Sequence, residues 1–263
     1  MGLINIDDLS ASEIHAIWAL ADKPAHALNG TVAWSFEGNG IRTRTTFIQA
    51  FRELGLSYIE LPNLLKTAER VCDLAGYLDP FYAMYVVRES NHQRLQEFAA
   101  ASSRPVINAM SSQAHPCEVL ADAYYIQSQL GPIETVRIGL WGPTTNVFKS
   151  WYALASVFKM QINHFCDPKF RASHGFVAFH DAPDQAVDIL VTDSWPAGCD
   201  DAAWSLTRDH LQCLGNPRLL PTPPFSIGKE IGFDPTQYDG FVGYEQKRAL
   251  LAVQRAILTH AAG

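Results

Sequence analysis

Phe36-Glu-Gly-Asn-Gly-Ile-Arg-Thr-Arg-Thr-Thr-Phe47 is the stretch on which the reading of this chain turns. Before it lies an apolar, aromatic run, Thr31-Val-Ala-Trp-Ser-Phe36, with the composition of a buried strand. From Thr45 onward the apolar positions fall at Phe47, Ala50, Phe51 and Leu54, which is helical spacing, and Gly55 supplies a stop. Arg42, Thr43, Arg44, Thr45 and Thr46 therefore crowd a strand-to-helix corner. Such a corner has two readings. One is a solvated loop with a threonine capping the helix. The other is a cradle for an oxyanion or phosphate, because guanidinium groups and helix N-termini both attract anions. The stretch alone leaves both open.

Working outward, strand and helix signals alternate on both sides. Ser10-Ala-Ser-Glu13 has capping-box spacing, and Ile14, Ile17, Trp18 and Ala21 continue it as one helical face. A helix is expected over 64–78, a strand over Tyr82–Arg88, a strand over Val106–Met110 and a helix over Pro116–Leu130. Gly131-Pro132 is the candidate boundary. The alternation then restarts, with strands over 136–141, 161–166 and 187–192, a helix over 146–159 and a largely helical 203–214. The Pro- and Gly-rich segment 217–233 is expected to be a loop, and a helix over 245–260 closes the chain. This pattern predicts an α/β protein of two doubly wound, parallel-sheet domains with a cleft between them. The first would span 1–131, completed by the C-terminal helix 243–263, and the second 132–242.

Bulk properties narrow the function classes. The chain has 263 residues and a net charge of −7, with no block of Lys and Arg. A nucleic-acid partner needs a basic face and is not expected, whereas a small anion needs only a few local cations. No apolar run reaches the length of a membrane span, and the start lacks the pattern of a signal peptide, so no membrane partner and a cytoplasmic location are expected. Cys72, Cys117, Cys166, Cys199 and Cys213 are odd in number and scattered, which fits a reducing compartment without a disulfide framework.

Donor or charged groups recur where the expected strands end. They are Arg42-Thr43-Arg44, Arg88-Glu89, His115-Pro116-Cys117-Glu118, Thr144-Thr145-Asn146 and Asp193-Ser194-Trp195. In an open parallel sheet those corners face the ligand. Five in succession are poorly explained as ordinary surface.

These residues resemble the aspartate/ornithine transcarbamoylase family. Gly40-Ile-Arg-Thr-Arg-Thr-Thr-Phe47 stands where the family carries Ser-Thr-Arg-Thr-Arg, a small hydroxyl residue and Phe. Tyr85-Val-Val-Arg88 is similar to its strand ending on arginine, and His115-Pro-Cys-Glu-Val-Leu-Ala-Asp122 to His-Pro-x-Gln followed by Leu-Ala-Asp. Thr145-Asn-Val-Phe-Lys-Ser-Trp151 and Asp193-Ser-Trp-Pro-Ala-Gly198 resemble the ornithine branch, and Thr222-Pro-Pro-Phe-Ser-Ile-Gly-Lys-Glu230 its Cys-Leu-Pro loop with a later Glu. The motifs run in order along nearly the whole chain.

The resemblance implies a biosynthetic transferase that moves a carbamoyl group from carbamoyl phosphate to the amine of an amino-acid-like acceptor, in a homotrimer, without a cofactor. It casts Arg42 as the phosphate grip, and Thr43, Arg88 and His115 as donors to the carbonyl oxygen. Asn39, Gly40, Ile41 and Glu118 would line the donor site. Asn146 and Asp193 would hold the acceptor's α-carboxylate and α-amino group, Thr222 and Pro223 would also bind substrate, and Lys66 would reach a neighbouring subunit. Each also has a plainer reading: salt bridges for Arg42 and Arg88, helix caps for Thr43 and Asn146, a loop histidine for His115 and a solvated helix lysine for Lys66.

Departures matter as well. The family's hydroxyl pair is replaced by Gly40 and Ile41, its glutamine by Glu118, its cysteine by Thr222 and the arginine of its last helix by Leu250. A carboxylate accepts but does not donate, so Glu118 suits a donor rich in N–H and would repel a nearby phosphate unless cations offset it. Three explanations follow: a transferase of a specialised pathway with an altered pocket, a relative acting on another acyl phosphate or amino-acid-like ligand, and a non-catalytic binding paralogue. His164, Cys166, His174 and His180 match no closed tetrahedral site, so no metal is expected.

Overall fold

Trp34 sits at the middle of the first strand, and its ring sets what packs on that face. It stacks on Phe36 at a centroid distance of 4.8 Å and meets Phe47 at 5.7 Å and Phe51 at 5.6 Å. Trp34 and Phe36 share one face of strand β1 (Thr31–Phe36) because side chains alternate along a strand. Phe47 and Phe51 share one face of helix α2 (Ile41–Glu53), one turn apart. Both are fully buried, and each such ring contributes roughly 1.5–3 kcal/mol of burial. Ala33 points the other way, into a cluster with Leu74, Ala75, Tyr85, Val87, Leu95 and Phe98.

The computed structural model describes residues 2–263 and divides the chain into two units. The first holds residues up to 124 together with 248–263. Its elements are α1 (Ala11–Ala21), β1, α2, β2 (Ser57–Glu60), α3 (Val71–Leu78), β3 (Met84–Arg88), α4 (His92–Ala101) and β4 (Val106–Met110). The start of α5 (Pro116–Leu130) and most of α8 (Gly243–Ala262) complete it. The sheet order is β2-β1-β3-β4, all parallel. Pairing aligns Phe36 with Arg88 and Arg88 with Met110, so three strands finish at one edge. The chain goes from β1 to β2 on one side and then to β3 on the other. The order reverses between β1 and β3, the switch point where parallel sheets bind ligands.

The second unit, 125–247, contains β5 (Ile138–Trp141), α6 (Asn146–Phe158), β6 (Ile162–Phe165), β7 (Val177–His180), β8 (Ile189–Thr192), α7 (Arg208–Cys213) and β9 (Arg218–Pro221). Its sheet order is β7-β6-β5-β8-β9, again all parallel, with the reversal between β5 and β8. One face is closed by Trp141, Phe165, Val187, Leu190, Leu206, Leu211, Leu214 and Leu219. Gly139, in the central strand β5, lies under this cluster: a Cβ there would stand 2.9 Å from Leu190 Cδ1 and 3.2 Å from both Phe165 and Val187.

Several elements differ from the sequence expectation. Helix α2 starts at Ile41, ahead of Thr45, and its cap is Gly40 in the left-handed region at φ +35 rather than a threonine. The expected helix 64–78 survives only as α3. Arg94 binds the carbonyls of Leu65, Thr67 and Glu69, at 2.6, 2.9 and 2.8 Å, and these bonds hold the preceding segment out of the helix. Segment 203–214 becomes a short 3-10 turn and α7, because Leu206 joins the backbone of Glu230 and Gly232. The expected loop 217–233 opens as strand β9, whose Leu219 and Leu220 are buried. Strands β2 and β7 and helix α4 are further elements beyond the sequence expectation; α4 turns Leu95, Phe98 and Ala99 to the core at helical spacing. Among the described residues no helix is long and apolar enough to cross a membrane.

Gly139→Val is expected to destabilise the protein by ~1–3 kcal/mol through overpacking, read as a lower urea midpoint. An unchanged midpoint would refute the tight packing over β5.

Candidate functional site

At the switch point of the first sheet, the corner after β1 and the corner after β3 meet. Gly40 has no side chain, and that space is taken: a Cβ there would overlap the Phe36 ring and come 2.5 Å from Arg88 Nη1. Arg88 lies over the Phe36 ring with its guanidinium carbon 5.1 Å from the centroid, and Arg44 does the same at 5.0 Å. Arg44 is also paired with Glu60 at 2.7 Å. Arg88 is held below the ordinary guanidinium pKa, by burial first, with Glu37 opposing and the like charge of Arg42 adding to it. Arg42 and Arg88 are thus electrostatic neighbours beside the N-terminus of α2, whose free N–H groups favour an anion.

Counter-charges surround this pair. Glu89, only 3% exposed, accepts from Lys66 Nζ at 2.5 Å and from the Asn91 amide at 2.8 Å. Glu37 accepts from the Ser90 amide at 2.7 Å and pairs with Lys66 at 3.3 Å. The Ser90 bond is the largest cause lowering the Glu37 carboxyl, and the hydrogen bond to Glu89 is the largest cause raising Lys66. The ammonium expected to serve a neighbouring subunit is therefore engaged by two carboxylates of its own chain.

His115 is placed by a turn after β4. Ser111 N donates to Ala114 O at 2.8 Å, Ala114 N donates to Ser111 Oγ at 3.1 Å, and His92 Nδ1 lies 2.7 Å from the same hydroxyl. The His115 carbonyl opens α5 by accepting from Val119 N at 3.2 Å. Glu118 follows in the first turn of that helix and is 4% exposed. Thr43 is buried on α2, Asn39 and Arg42 are exposed, and Ile41 turns its side chain to solvent. Leu250, in the place of the family arginine, is a core residue of α8.

The second sheet repeats the design at its own switch point. Gly142, at φ +110, follows β5, and a Cβ there would stand 3.0 Å from Trp195 Nε1 in the corner after β8. Thr145 caps α6, accepting from Phe148 N at 3.3 Å, so Asn146 is not the cap. The Thr145 hydroxyl also bonds Asp193. Burial raises the Asp193 carboxyl to about 6, against the Thr145 and Ser194 hydrogen bonds, with the negative charge of Glu230 adding a further rise. Glu230 is itself buried and accepts from Ser226 N. Thr222 donates its amide to Thr192 O at 2.8 Å, which sets the end of β9 beside Asp193, and Pro223 leads on to Pro224, whose carbonyl accepts from Ser194 Oγ. The Thr192 and Thr222 hydroxyls are buried without a hydrogen-bond partner.

Chemically, the first unit offers clustered cations at a helix N-terminus. The second offers the half-buried carboxylate of Asp193 and the buried one of Glu230, with a threonine donor at Asp193 and Asn146 next to that threonine in the chain. One suits an anion, the other an ammonium group. Sequence reasoning named Arg42, Arg88 and Asp193 but gave no role to Phe36 or Glu37, and it placed Thr145 in a donor corner and Glu230 in a motif without assigning either a task.

The family model for the aspartate/ornithine carbamoyltransferase carbamoyl-P binding domain matches residues 2–128. An ornithine carbamoyltransferase of Bradyrhizobium diazoefficiens is 34% identical over 204 residues, which cover 71% of this chain and 66% of that protein. One of Nitrosomonas eutropha is 30% identical over 269 residues, covering 92% of this chain and 85% of its own. The crystal structure of ornithine carbamoyltransferase from Thermus thermophilus superposes with a TM-score of 0.90 at 21% identity, covering all of this chain and 99% of that one. The enzyme from Gloeobacter violaceus gives 0.88 at 23% identity, covering all of this chain and 98% of its own. These two likenesses speak to the fold.

Gly40→Ser is expected to cost ~1–3 kcal/mol, because the new side chain meets Phe36 and Arg88. Gly38→Ser, at φ +71 with open space around it, should cost only the backbone term of ~1–2 kcal/mol. Equal losses in thermal melts of the two variants would show that the close approach of Arg88 is not what position 40 protects.

Asp193→Asn should raise stability at pH 7.5. The folded carboxyl binds its proton more tightly than the unfolded one, so stability falls as pH rises from the unfolded value through about 6. The amide escapes that cost, and its advantage should shrink by pH 5. A gain that is constant with pH would contradict this assignment.

Proposed function

The chain belongs to the aspartate/ornithine carbamoyltransferase family, and from that premise we propose that it transfers a carbamoyl group from carbamoyl phosphate to the amine of an amino-acid-like acceptor. The observation that carries the reading is the meeting of Arg88 with the Gly40–Arg42 corner at the N-terminus of α2. Two guanidinium groups and free helix amides are what a phosphate monoester requires.

In this reading Arg42 and the α2 N-terminus hold the phosphate. Arg88, Thr43 and His115 donate toward the carbonyl oxygen. The neutral amine attacks the carbonyl carbon, forming the C–N bond while the carbonyl oxygen takes up negative charge. The C–O bond to phosphate then breaks, the carbonyl re-forms, and the proton lost by the amine leaves with the phosphate. Donors aimed at the developing oxyanion typically contribute 10²–10³ in rate, by order of magnitude. Lys66 serves this site indirectly. By occupying Glu37 and Glu89, it leaves the charge of Arg42 and Arg88 to act on the donor phosphate.

Asp193, with Thr145 and Glu230 around it, suits the acceptor's ammonium group, and Asn146 suits its carboxylate. Ornithine, the acceptor in the relatives' names, is the first amine to test. The buried carboxylate of Glu118 on the first turn of α5 favours a second reading, in which the donor is another acyl phosphate carrying more N–H groups.

Carbamoyl phosphate at 100 times its dissociation constant should stabilise the protein by ~2.7 kcal/mol, more than inorganic phosphate at the same concentration. Arg42→Ala should remove that shift and lower phosphate release in the presence of L-ornithine by ~10²–10³. A shift with another acyl phosphate but none with carbamoyl phosphate would favour the second reading. No shift with either would overturn both.

A further inference from the structure

His164 lies on β6 with no solvent exposure, and both of its ring nitrogens are used. Nε2 is 2.7 Å from the carbonyl oxygen of Gly142, and Nδ1 is 2.6 Å from the hydroxyl of Tyr152 on α6. A carbonyl can only accept, so Nε2 carries the proton. Burial pushes the imidazole down to about 4, so the ring is neutral and Nδ1 is an acceptor to which Tyr152 donates. Thr144 completes the arrangement. Its hydroxyl donates to Phe170 O at 2.9 Å and lies 3.3 Å from the Tyr152 oxygen.

The surroundings of His164 are otherwise apolar. Phe148 meets the ring edge-on at 5.2 Å, and Phe179 lies tilted against it at 5.4 Å. A phenylalanine would pack in such a box without the desolvation cost that a buried imidazole carries. What the imidazole adds is a fixed donor to Gly142. That residue is the first of the corner 142–146, which turns beneath Trp195 and delivers Thr145 to Asp193.

We propose that His164, oriented by Tyr152, is a positioning residue for the acceptor half of the site: it clamps the Gly142 carbonyl so that Thr145 and Asn146 stand correctly beside Asp193. This inference rests on the carbamoyl-transfer reading for its kinetic consequence, but the clamp itself can be measured without turnover.

Three variants test it in the full chain: His164→Phe, which fills the box and loses both bonds; His164→Gln, which keeps a donor for Gly142; and Tyr152→Phe. With carbamoyl phosphate and L-ornithine as substrates, His164→Phe is expected to raise KM for the amine by ~10–100-fold, since small misplacements of substrate-orienting groups cost up to about that much. KM for carbamoyl phosphate should stay within about twofold. Tyr152→Phe should move KM the same way by less, and His164→Gln should recover part of the loss. Hydrogen exchange gives the second readout: amides over 142–148 should exchange faster in His164→Phe, while those of β8 remain unchanged. Lower thermal stability with both KM values unaltered would reduce His164 to a packing residue and overturn the proposal. If the wild-type protein does not turn over these substrates, the functional reading fails on its own. Unchanged exchange over 142–148 would then reject the clamp, and faster exchange confined to that segment would sustain it. Should His164→Phe fail to fold, His164→Gln and Tyr152→Phe carry the same comparison.

Discussion

The stacking of Trp34 on Phe36 is the interaction from which the first unit is built outward. It closes the core between β1 and α2, and it fixes the ring on which two guanidinium groups lie. Burial of these rings outweighs the cation–π attraction, which is about 0.5–2 kcal/mol per pair. The core therefore sets where Phe36 stands, and the cations follow it. Without the ring, the helix N-terminus and Arg88 would lose their common reference point.

The two units solve one steric problem in the same way. At each switch point a glycine stands in the corner after the central strand, and the missing Cβ admits a side chain from the corner across the order reversal. Gly40 admits Arg88, and Gly142 admits the Trp195 indole. Parallel pairing brings the strand ends to one edge, and the reversal opens a gap there. What fills the gap gives each unit its chemistry: cations in the first, a threonine-bonded carboxylate in the second.

Charge is arranged to suit. Glu89 is buried with Lys66 and the Asn91 amide as its donors, so its charge is matched locally and takes little from the field of Arg42 and Arg88. Asp193 is treated in the opposite way. It is held by the Thr145 hydroxyl and the Ser194 amide, burial disfavours its charge and Glu230 adds like charge, so its proton is held more tightly than in water. A carboxylate in that condition is stabilised by any ammonium group that joins it, at the expense of the unliganded protein.

The sequence by itself determined the fold class, the run of strands and helices around each corner, and most groups that converge there. Apolar periodicity and glycine stops are local, and the motifs that resemble the transcarbamoylase family stand on those corners. It could not show that Gly40 is vacant because Arg88 and Phe36 occupy its space, since those residues are up to 48 positions apart. Nor could it show that Arg94 would keep 64–70 out of a helix by binding three of its carbonyls. The identity of the α6 cap, the pairing of Lys66 with Glu37 and Glu89, and the clamp of His164 on Gly142 were likewise decided by the tertiary structure. Each depends on side chains from distant segments sharing a few ångströms of low-dielectric space. Periodicity reports which face of an element is buried, but only packing decides which polar atoms meet there.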